Sequence, residues 1–118
     1  MPRRTASDAD ILRLRHMVDA ARQALAYCRG RSRTDLDDTP MLRDAVVRQI
    51  EIVGEAAVHV SSQNAALLPA VPWPAIRGMR NRIVHEYSEI DLDVVWAVVT
   101  GDLPPLIEAL ERHLAPSS

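Results

Sequence analysis

Apolar residues recur at helical spacing from near the start of the chain. In the first third they lie alternately three and four positions apart, which is typical of a helix that buries one side in a bundle. These positions are Ile11, Leu14, Val18, Ala21, Leu25 and Cys28. Ser7 is predicted to be the N-cap, with Asp8 and Asp10 in the first turn, where carboxylates interact favourably with the helix dipole. Gly30 predicts the end of this helix, and residues 30–38 are predicted to be a polar loop.

The same periodicity predicts two helices in the middle of the chain. Thr39 and Pro40 mark the start of the second helix, because proline is favoured at the first helical position. Its buried stripe is predicted to be Leu42, Val46, Gln49, Ile50, Val53, Ala57 and Val60. A connector over residues 61–72 leads to a third helix that begins at Pro74. The apolar side of the third helix is predicted to be Ile76, Met79, Ile83 and Tyr87.

The C-terminal third predicts a fourth helix with an interruption. Asp91 is the expected N-cap, and the apolar positions after it are Leu92, Val95, Trp96 and Val99. Pro104 and Pro105 must kink or restart the helix, because proline lacks a backbone donor and clashes with the preceding turn. The apolar face then continues through Leu106, Ile107, Leu110 and Leu114. The predicted fold is all-α, a four- to five-helix up-and-down bundle forming one domain over residues 1–118.

Composition excludes several kinds of site. Aromatic residues make up only 3% of the chain, which argues against a base-stacking platform for RNA. Cys28 is the single cysteine, so a disulfide framework and a Cys-based zinc site are excluded. His16, His59 and His113 are too far apart in sequence to form a metal signature, and we expect no metal or other cofactor. No apolar run approaches the roughly 20 residues of a membrane span, and we expect a cytoplasmic protein without membrane contact.

Charge is unevenly distributed although the net charge is only -2. Every cationic residue is an arginine, and residues 1–33 are strongly basic. No acidic residue occurs between Glu55 and Glu86, a stretch that holds Arg77, Arg80 and Arg82. A basic patch on an acidic protein is compatible with a phosphate-binding site. Solvated helix faces would give the same pattern.

The predicted third helix has a polar side that could carry chemistry. At about 100° per residue, Arg77, Arg80, Asn81 and His85 fall opposite the apolar side, with Val84 among them. An exposed valine in that place suggests a second surface, such as a dimer partner. Histidine can accept and return a proton near neutral pH, and arginine donors match phosphate oxygens. These groups suffice to cleave RNA through its own 2′-hydroxyl.

The relative directions of the two catalytic candidates favour a homodimer. On a straight helix Arg80 and His85 would point about 140° apart, which is poor for one compact site. Two copies related by a twofold axis could bring both pairs around one phosphate. The structural alternatives are a core role for Tyr87 and a solvated surface role for His85.

Several segments of the chain match one known family. Residues 80–87, RNRIVHEY, contain the pattern Arg-x4-His-x-Tyr, and residues 49–57 read QIEIVGEAA. Residues 73–79 read WPAIRGM, residues 90–96 read IDLDVVW, and residues 102–104 read DLP. In these segments and their order the sequence resembles the HEPN superfamily, specifically its HepT-like toxin branch. The resemblance covers nearly the whole chain.

The resemblance implies a metal-independent endoribonuclease, the toxin of a type VII-like toxin–antitoxin module, acting as a homodimer with a composite cleft. Arg80 and His85 would be the catalytic pair. Asn81 would support them, with Arg77 as a further RNA-binding residue on the same side. Tyr87 would correspond to the tyrosine to which a cognate antitoxin, a minimal nucleotidyltransferase, attaches AMP.

Glu55 and the overall function leave alternatives open. For Glu55, a buried carboxylate that pairs with an arginine is favoured over a catalytic role. One alternative function is a non-catalytic helical adaptor that binds nucleotide or RNA and engages a nucleotidyltransferase. A second alternative is a purely structural helical dimer whose arginine-rich face is an interface.

Overall fold

A computed structural model of the chain describes residues 6–85 and 89–115, and the side chains of Ala6, Ser7 and His85 lie outside that description. The elements in chain order are α1 (Ala6–Cys28), α2 (Asp35–Asp38), α3 (Pro40–Val58), α4 (Ser62–Ala66), α5 (Trp73–Arg77), α6 (Met79–Ile83), β1 (Val84–His85), β2 (Glu89–Ile90), α7 (Leu92–Ala97) and α8 (Leu103–Leu114). A π-helical turn, Val98–Asp102, joins α7 to α8. The all-α prediction is confirmed, and the two strands form only a short hairpin.

The two long helices α1 and α3 form the centre of the molecule. Among the described elements they have the most extensive contact with each other, and α1 also packs against α8. The buried positions of α1 recur three or four residues apart, as the sequence predicts. They include Leu14, Met17, Val18, Ala21, Ala24 and Cys28. Each fully buried side chain of leucine or methionine size stabilises the fold by about 1.5–3 kcal/mol, so this seam determines how the bundle assembles.

The start of α1 differs from the prediction in two respects. The helix already includes the residue before Ser7, so the prediction of Ser7 as N-cap is wrong. Ile11 is 37% exposed, whereas Asp10 is only 4% exposed and takes the buried position one residue earlier. A carboxylate can be buried there because Ser61 and Asn64, at the start of α4, hydrogen bond to it.

Local start and stop signals are confirmed in the first half of the chain. Thr39 is the N-cap of α3, and Pro40 occupies its first turn. Gly30, just after α1, has a φ of 73°, a left-handed conformation that favours glycine. The predicted stripe of α3 is buried except for Gln49, which is half-buried. The predicted polar loop before α3 contains the short helix α2, whose Leu36 is fully buried.

The predicted interruption of the last helix is confirmed. Asp91 is the N-cap of α7, and its carboxylate accepts two backbone N–H groups at 3.1 and 3.2 Å. Ahead of Pro104 and Pro105 the helix widens into the π-helical turn, where the N–H of Leu103 bonds to the carbonyl of Val98 five residues earlier. Because proline supplies no N–H to the preceding turn, the chain restarts as α8 at this point.

The third helix departs most from the prediction. It divides at Gly78 into α5 and α6 and ends at Ile83, four residues before the predicted apolar position at Tyr87. The carbonyl of Ile83 accepts the N–H of Asp91 at 2.7 Å, whereas in a continuing helix it would accept the N–H four residues later. The long-range bond therefore replaces the helical one, and the chain leaves α6 in an extended conformation.

The hairpin after α6 changes the predicted placement of the histidine. Val84 pairs with Ile90 and His85 with Glu89 in an antiparallel arrangement. The prediction that His85 lies on the third helix is wrong, and the angle derived from a straight helix does not apply. Tyr87 lies outside the described residues, so its predicted position on the apolar side stays a prediction.

Candidate active site

Buried side chains hold α5 and α6 in place. Trp73 is 6% exposed and donates its indole N–H to the carbonyl of Ala65 at 3.0 Å. Met79 is fully buried where α6 contacts α3. At Gly54 of α3 the helices approach closely, since a Cβ built there would lie 3.5 Å from the carbonyl oxygen of Ile76. The inner sides of α5 and α6 are thereby fixed, and their polar residues face outward.

Arg80 extends from α6 toward an acidic side chain of α3. Its Nε lies 3.5 Å from Oε2 of Glu51. The Arg80 side chain is 70% exposed, whereas that of Glu51 is 27% exposed. Glu51 also lies 4.0 Å from Nη1 of Arg48, and the same Nη1 is 3.6 Å from Oε1 of Glu55. Two arginines and two glutamates therefore alternate along this surface.

Arg77 reaches the same helix from α5. Its Nε donates to the carbonyl of Ala57 near the end of α3, at 3.4 Å. Its guanidinium carbon lies 5.5 Å from the centroid of the Trp73 ring, a distance at which a cation–π interaction is favourable. Arg77 is half-buried, so it is held more firmly than Arg80. We call Arg77, Arg80 and Asn81, with Glu51 beside them, the Arg80 face.

The other predicted site residues lie in α6 or in the segment directly after it. Asn81 is exposed, and Val84 is 37% exposed, as the sequence predicts for a valine on the polar side. The backbone of His85 follows directly after α6 in β1, and its side chain lies outside the described residues, as does Tyr87. Arg82 belongs to another surface, because its Nη2 pairs with Asp102 at 2.8 Å.

Glu51 is a residue that sequence reasoning missed. The sequence predicts that Glu55 pairs with an arginine, and it does pair with Arg48. The expectation that Glu55 is buried is wrong, since its side chain is 61% exposed. Glu51 lies one helical turn earlier, within the same family-like segment, and it contacts Arg80 instead. Helical spacing places both on one side of α3, but only the packing of α6 decides which of them reaches Arg80.

The described residues show no evident metal-binding group. Within residues 6–85 and 89–115, no cluster of three or more His, Cys, Asp or Glu side chains could hold a metal ion. His16, His59 and His113 are all exposed. Cys28 is buried, and burial raises the pKa of its thiol even though the nearby Arg31 opposes that shift. A thiol with a raised pKa is a weak nucleophile, which fits the packing role expected of Cys28.

A cavity of about 530 Å³ lies on the Arg82 side of the molecule. Its walls include Val71, Ile76, Gly101 and Leu106, with the Arg82–Asp102 ion pair among its lining residues. Arg80 and Asn81 do not line it. Arg80 and Asn81 are both exposed on a different part of the surface.

A family model matches most of the chain. The family model for HepT-like ribonucleases matches residues 17–113, which include α3, α5 and α6. The chain therefore belongs to the HepT-like ribonuclease family.

Curated relatives are similar over most of the chain. "Putative RNase MJ1380" of Methanocaldococcus jannaschii is 29% identical over 95 residues, 80% of this chain and 87% of that protein. "Putative RNase TTE0752" of Caldanaerobacter subterraneus subsp. tengcongensis is 30% identical over 101 residues, 86% of this chain and 90% of that protein. "Probable ribonuclease HepT" of Thermococcus cleftensis is 35% identical over 68 residues, 58% of this chain and 62% of that protein.

No solved structure matches the chain at a significant level. Within the part of the chain that the structure describes, no helix combines the length and apolar character needed to cross a membrane.

Proposed function

We propose that this chain is a metal-independent endoribonuclease with Arg80 and His85 as its catalytic pair. The observation that carries the proposal is the guanidinium of Arg80, which is largely exposed and contacted at Nε by Glu51. The chain that carries this arginine is a member of the HepT-like ribonuclease family. His85 follows Arg80 by five residues and comes directly after α6. A permanently charged guanidinium and an imidazole, a type of side chain that can accept and return a proton, are thus close in the chain.

The reaction requires only the substrate and these side chains. The His85 imidazole takes the proton of a ribose 2′-hydroxyl. The 2′-oxygen then forms a bond to the adjacent phosphorus while the bond from phosphorus to the 5′-oxygen breaks. Arg80 stabilises the extra negative charge on the pentavalent phosphorane. Solvent water gives a proton to the leaving 5′-oxygen, and the resulting hydroxide takes the proton back from the His85 imidazolium, so the products are a 2′,3′-cyclic phosphate and a 5′-hydroxyl.

Arg77 and Asn81 are proposed to bind the RNA backbone on either side of the cut. Arg77 is half-buried and oriented by the carbonyl of Ala57, which limits the entropy that it loses when it binds a phosphate. Asn81 is exposed and offers both a donor and an acceptor. The binding contribution of Arg77 should depend on salt concentration, as phosphate contacts do.

We propose a homodimer in which the catalytic pairs of both copies line one cleft. Val84, the first residue of β1, is 37% exposed directly after α6, and Val58 at the end of α3 is 56% exposed. Apolar side chains beside a polar site are suited to contact with a second copy. Light scattering should give twice the chain mass, and Val84→Glu should produce a monomer without cleavage activity. A wild-type monomer that cleaves RNA would contradict the composite cleft.

The partner in the proposed toxin–antitoxin module is a minimal nucleotidyltransferase that modifies Tyr87. The tyrosine oxygen would attack the α-phosphorus of ATP, forming an O–P bond and releasing pyrophosphate. The attached AMP would repel RNA phosphates by its charge and block the cleft by its size. Intact-mass measurement after coexpression with the neighbouring gene should show a gain of the size of AMP that Tyr87→Phe abolishes. An unmodified wild-type chain would contradict this regulation.

RNA cleavage by the purified chain tests the catalytic proposal directly. Cleavage should proceed in excess EDTA, leave 2′,3′-cyclic phosphate ends and fail on a substrate with a 2′-deoxy sugar at the cut site. His85→Ala and Arg80→Ala should abolish both cleavage and growth arrest while the variants stay folded. His113→Ala is the matched control, because His113 is an exposed histidine on α8.

Two results would overturn the catalytic proposal. Full activity of His85→Ala would show that the imidazole is not the base. RNA binding without cleavage by the wild type would favour the adaptor function, and its affinity would then fall steeply with salt.

A further inference from the structure

Glu51 is the acidic side chain that contacts the proposed catalytic arginine. Its Oε2 lies 3.5 Å from Nε of Arg80. Within residues 6–85 and 89–115, the ion pair with Glu51 is the one polar contact that the structure shows for the Arg80 side chain. The carboxylate comes from α3, which is fixed by its packing against α1, whereas Arg80 is on a helix of five residues. Glu51 is also the more buried partner of the pair, and Arg80 is the more exposed one.

The position of Glu51 at Nε of Arg80 leaves the other nitrogens of the guanidinium available for phosphate. A guanidinium has five N–H donors on three nitrogens, and the ion pair with Glu51 lies on the Nε side of the Arg80 guanidinium. The two Nη groups remain for the oxygens of a phosphate, which they can bind as a fork. With a side chain that is 70% exposed, those groups are accessible to a polymer. The contact thus restrains the arginine without occupying its phosphate-binding edge.

Glu51 also faces a second arginine, Arg48, on the same helix. Arg48 Nη1 lies 4.0 Å from Oε1 of Glu51 and 3.6 Å from Oε1 of Glu55. Glu51 is consequently shared between two arginines, with Arg48 on Oε1 and Arg80 on Oε2.

We infer that Glu51 is a positioning residue that orients the Arg80 guanidinium toward the scissile phosphate, an inference that rests on the proposed ribonuclease function. Glu51 acts through Arg80 and does not itself touch the RNA. Orientation of a charged group before the reaction lowers the barrier, because no reorganisation is needed as charge develops on the phosphorane. The effect of Glu51 should therefore be on the rate of the bound complex rather than on RNA affinity.

Glu51→Gln tests the inference, with Glu55→Gln as the matched control. Both changes replace a carboxylate by an amide of the same shape on the same side of α3, but Glu55 contacts Arg48 and not Arg80. We expect Glu51→Gln to lower kcat by about 10-fold or more, as misplacement of a reacting group does, while KM changes much less. Glu55→Gln should retain the wild-type kcat. Circular dichroism and thermal melting establish that both variants fold.

A second pair of measurements separates orientation from a general structural effect. If Glu51 acts through Arg80, Glu51→Gln should lower kcat far less in the Arg80→Lys background, because lysine has no Nε–H at that position to be oriented. Equal losses in the two backgrounds would overturn the inference. So would a Glu51→Gln variant with lower KM and undiminished kcat, which would mean that Glu51 competes with phosphate for Arg80.

The outcomes also distinguish this inference from the proposed function. A wild type that does not cleave RNA refutes the ribonuclease proposal, and with it the role given to Glu51. A wild type that cleaves RNA, loses activity in His85→Ala and keeps it in Glu51→Gln refutes the positioning role alone.

Discussion

Replacing Asp10 by asparagine should destabilise the folded chain by about 2–4 kcal/mol at neutral pH. The Asp10 carboxylate joins the start of α1 to the start of α4. Its Oδ1 accepts the backbone N–H of Ser61 at 3.1 Å, and its Oδ2 accepts the Ser61 hydroxyl and the Asn64 side-chain amide, both at 2.6 Å. Because Asp10 is 4% exposed and Asn64 9% exposed, water cannot readily replace these bonds.

The magnitude follows from the donors that asparagine leaves unmatched. All three groups around the carboxylate are donors, whereas asparagine offers one oxygen and one NH₂ group. In one orientation the NH₂ of the introduced asparagine would face the backbone N–H of Ser61, and in the other it would face the Ser61 hydroxyl and the Asn64 NH₂. Either way, at least one donor loses its acceptor. A hydrogen bond to a charged acceptor contributes about 1.5–3 kcal/mol, and an unsatisfied buried donor costs about 1–3 kcal/mol. The melting temperature should fall by on the order of 10 °C.

The pH dependence of the same substitution has a definite sign. Burial by itself raises the pKa of Asp10, but the hydrogen bonds from Ser61 and Asn64, together with the charge of Arg13, outweigh burial and lower it. The carboxyl therefore has a lower pKa in the folded chain than in the unfolded chain. Its stabilising contribution is complete above the unfolded pKa of about 4 and is lost as the pH falls through the folded value. The gap between wild type and Asp10→Asn should narrow in acid.

Urea unfolding at pH 7 and in the acid range measures both quantities. Asp19→Asn is the control, because Asp19 is an exposed aspartate on the same helix and its change should stay within about 0.5 kcal/mol. A loss below that limit for Asp10→Asn at pH 7 would refute the assigned role of the hydrogen bonds. A gap that stays the same from pH 7 into acid would refute the lowered pKa.

Two further predictions concern the packing that supports α5 and α6. Gly54→Leu should cost about 1–3 kcal/mol by overpacking and should reduce RNA cleavage. Gly54→Ala should be tolerated, because its Cβ would meet Ile76 and Met79 at ordinary contact distances of 3.5 and 3.7 Å. Equal urea midpoints for Gly54→Leu and Gly54→Ala would contradict the predicted difference in stability. Trp73→Phe should cost about 1–3 kcal/mol, because it removes the indole N–H from the buried carbonyl of Ala65. A melting temperature equal to that of the wild type would show that the hydrogen bond is dispensable.

The sequence by itself determines the helical class and several of the helix boundaries. The seam of α1, the N-terminus of α3, the cap at Asp91 and the interruption at Pro104 and Pro105 all follow from residues close together in the chain. The physical reason is that capping, the missing donor of proline and the 3.6-residue period act within one or two helical turns. The candidate residues Arg77, Arg80 and Asn81 were likewise identifiable, since they share the polar side of one local segment.

Only the tertiary structure decided where the third helix ends and what surrounds Arg80. Periodicity predicts a helix through Tyr87, but the Ile83 carbonyl accepts a hydrogen bond from Asp91, eight residues later in the chain. Glu51 and Glu55 are equivalent by helical spacing, yet packing of α6 brings only Glu51 to Arg80. Asp10 is buried for the same kind of reason, because its partners come from α4. The Glu51 and Asp10 contacts join elements far apart in sequence. The Ile83–Asp91 bond closes a short hairpin instead of a helical turn, so the 3.6-residue period specifies none of the three.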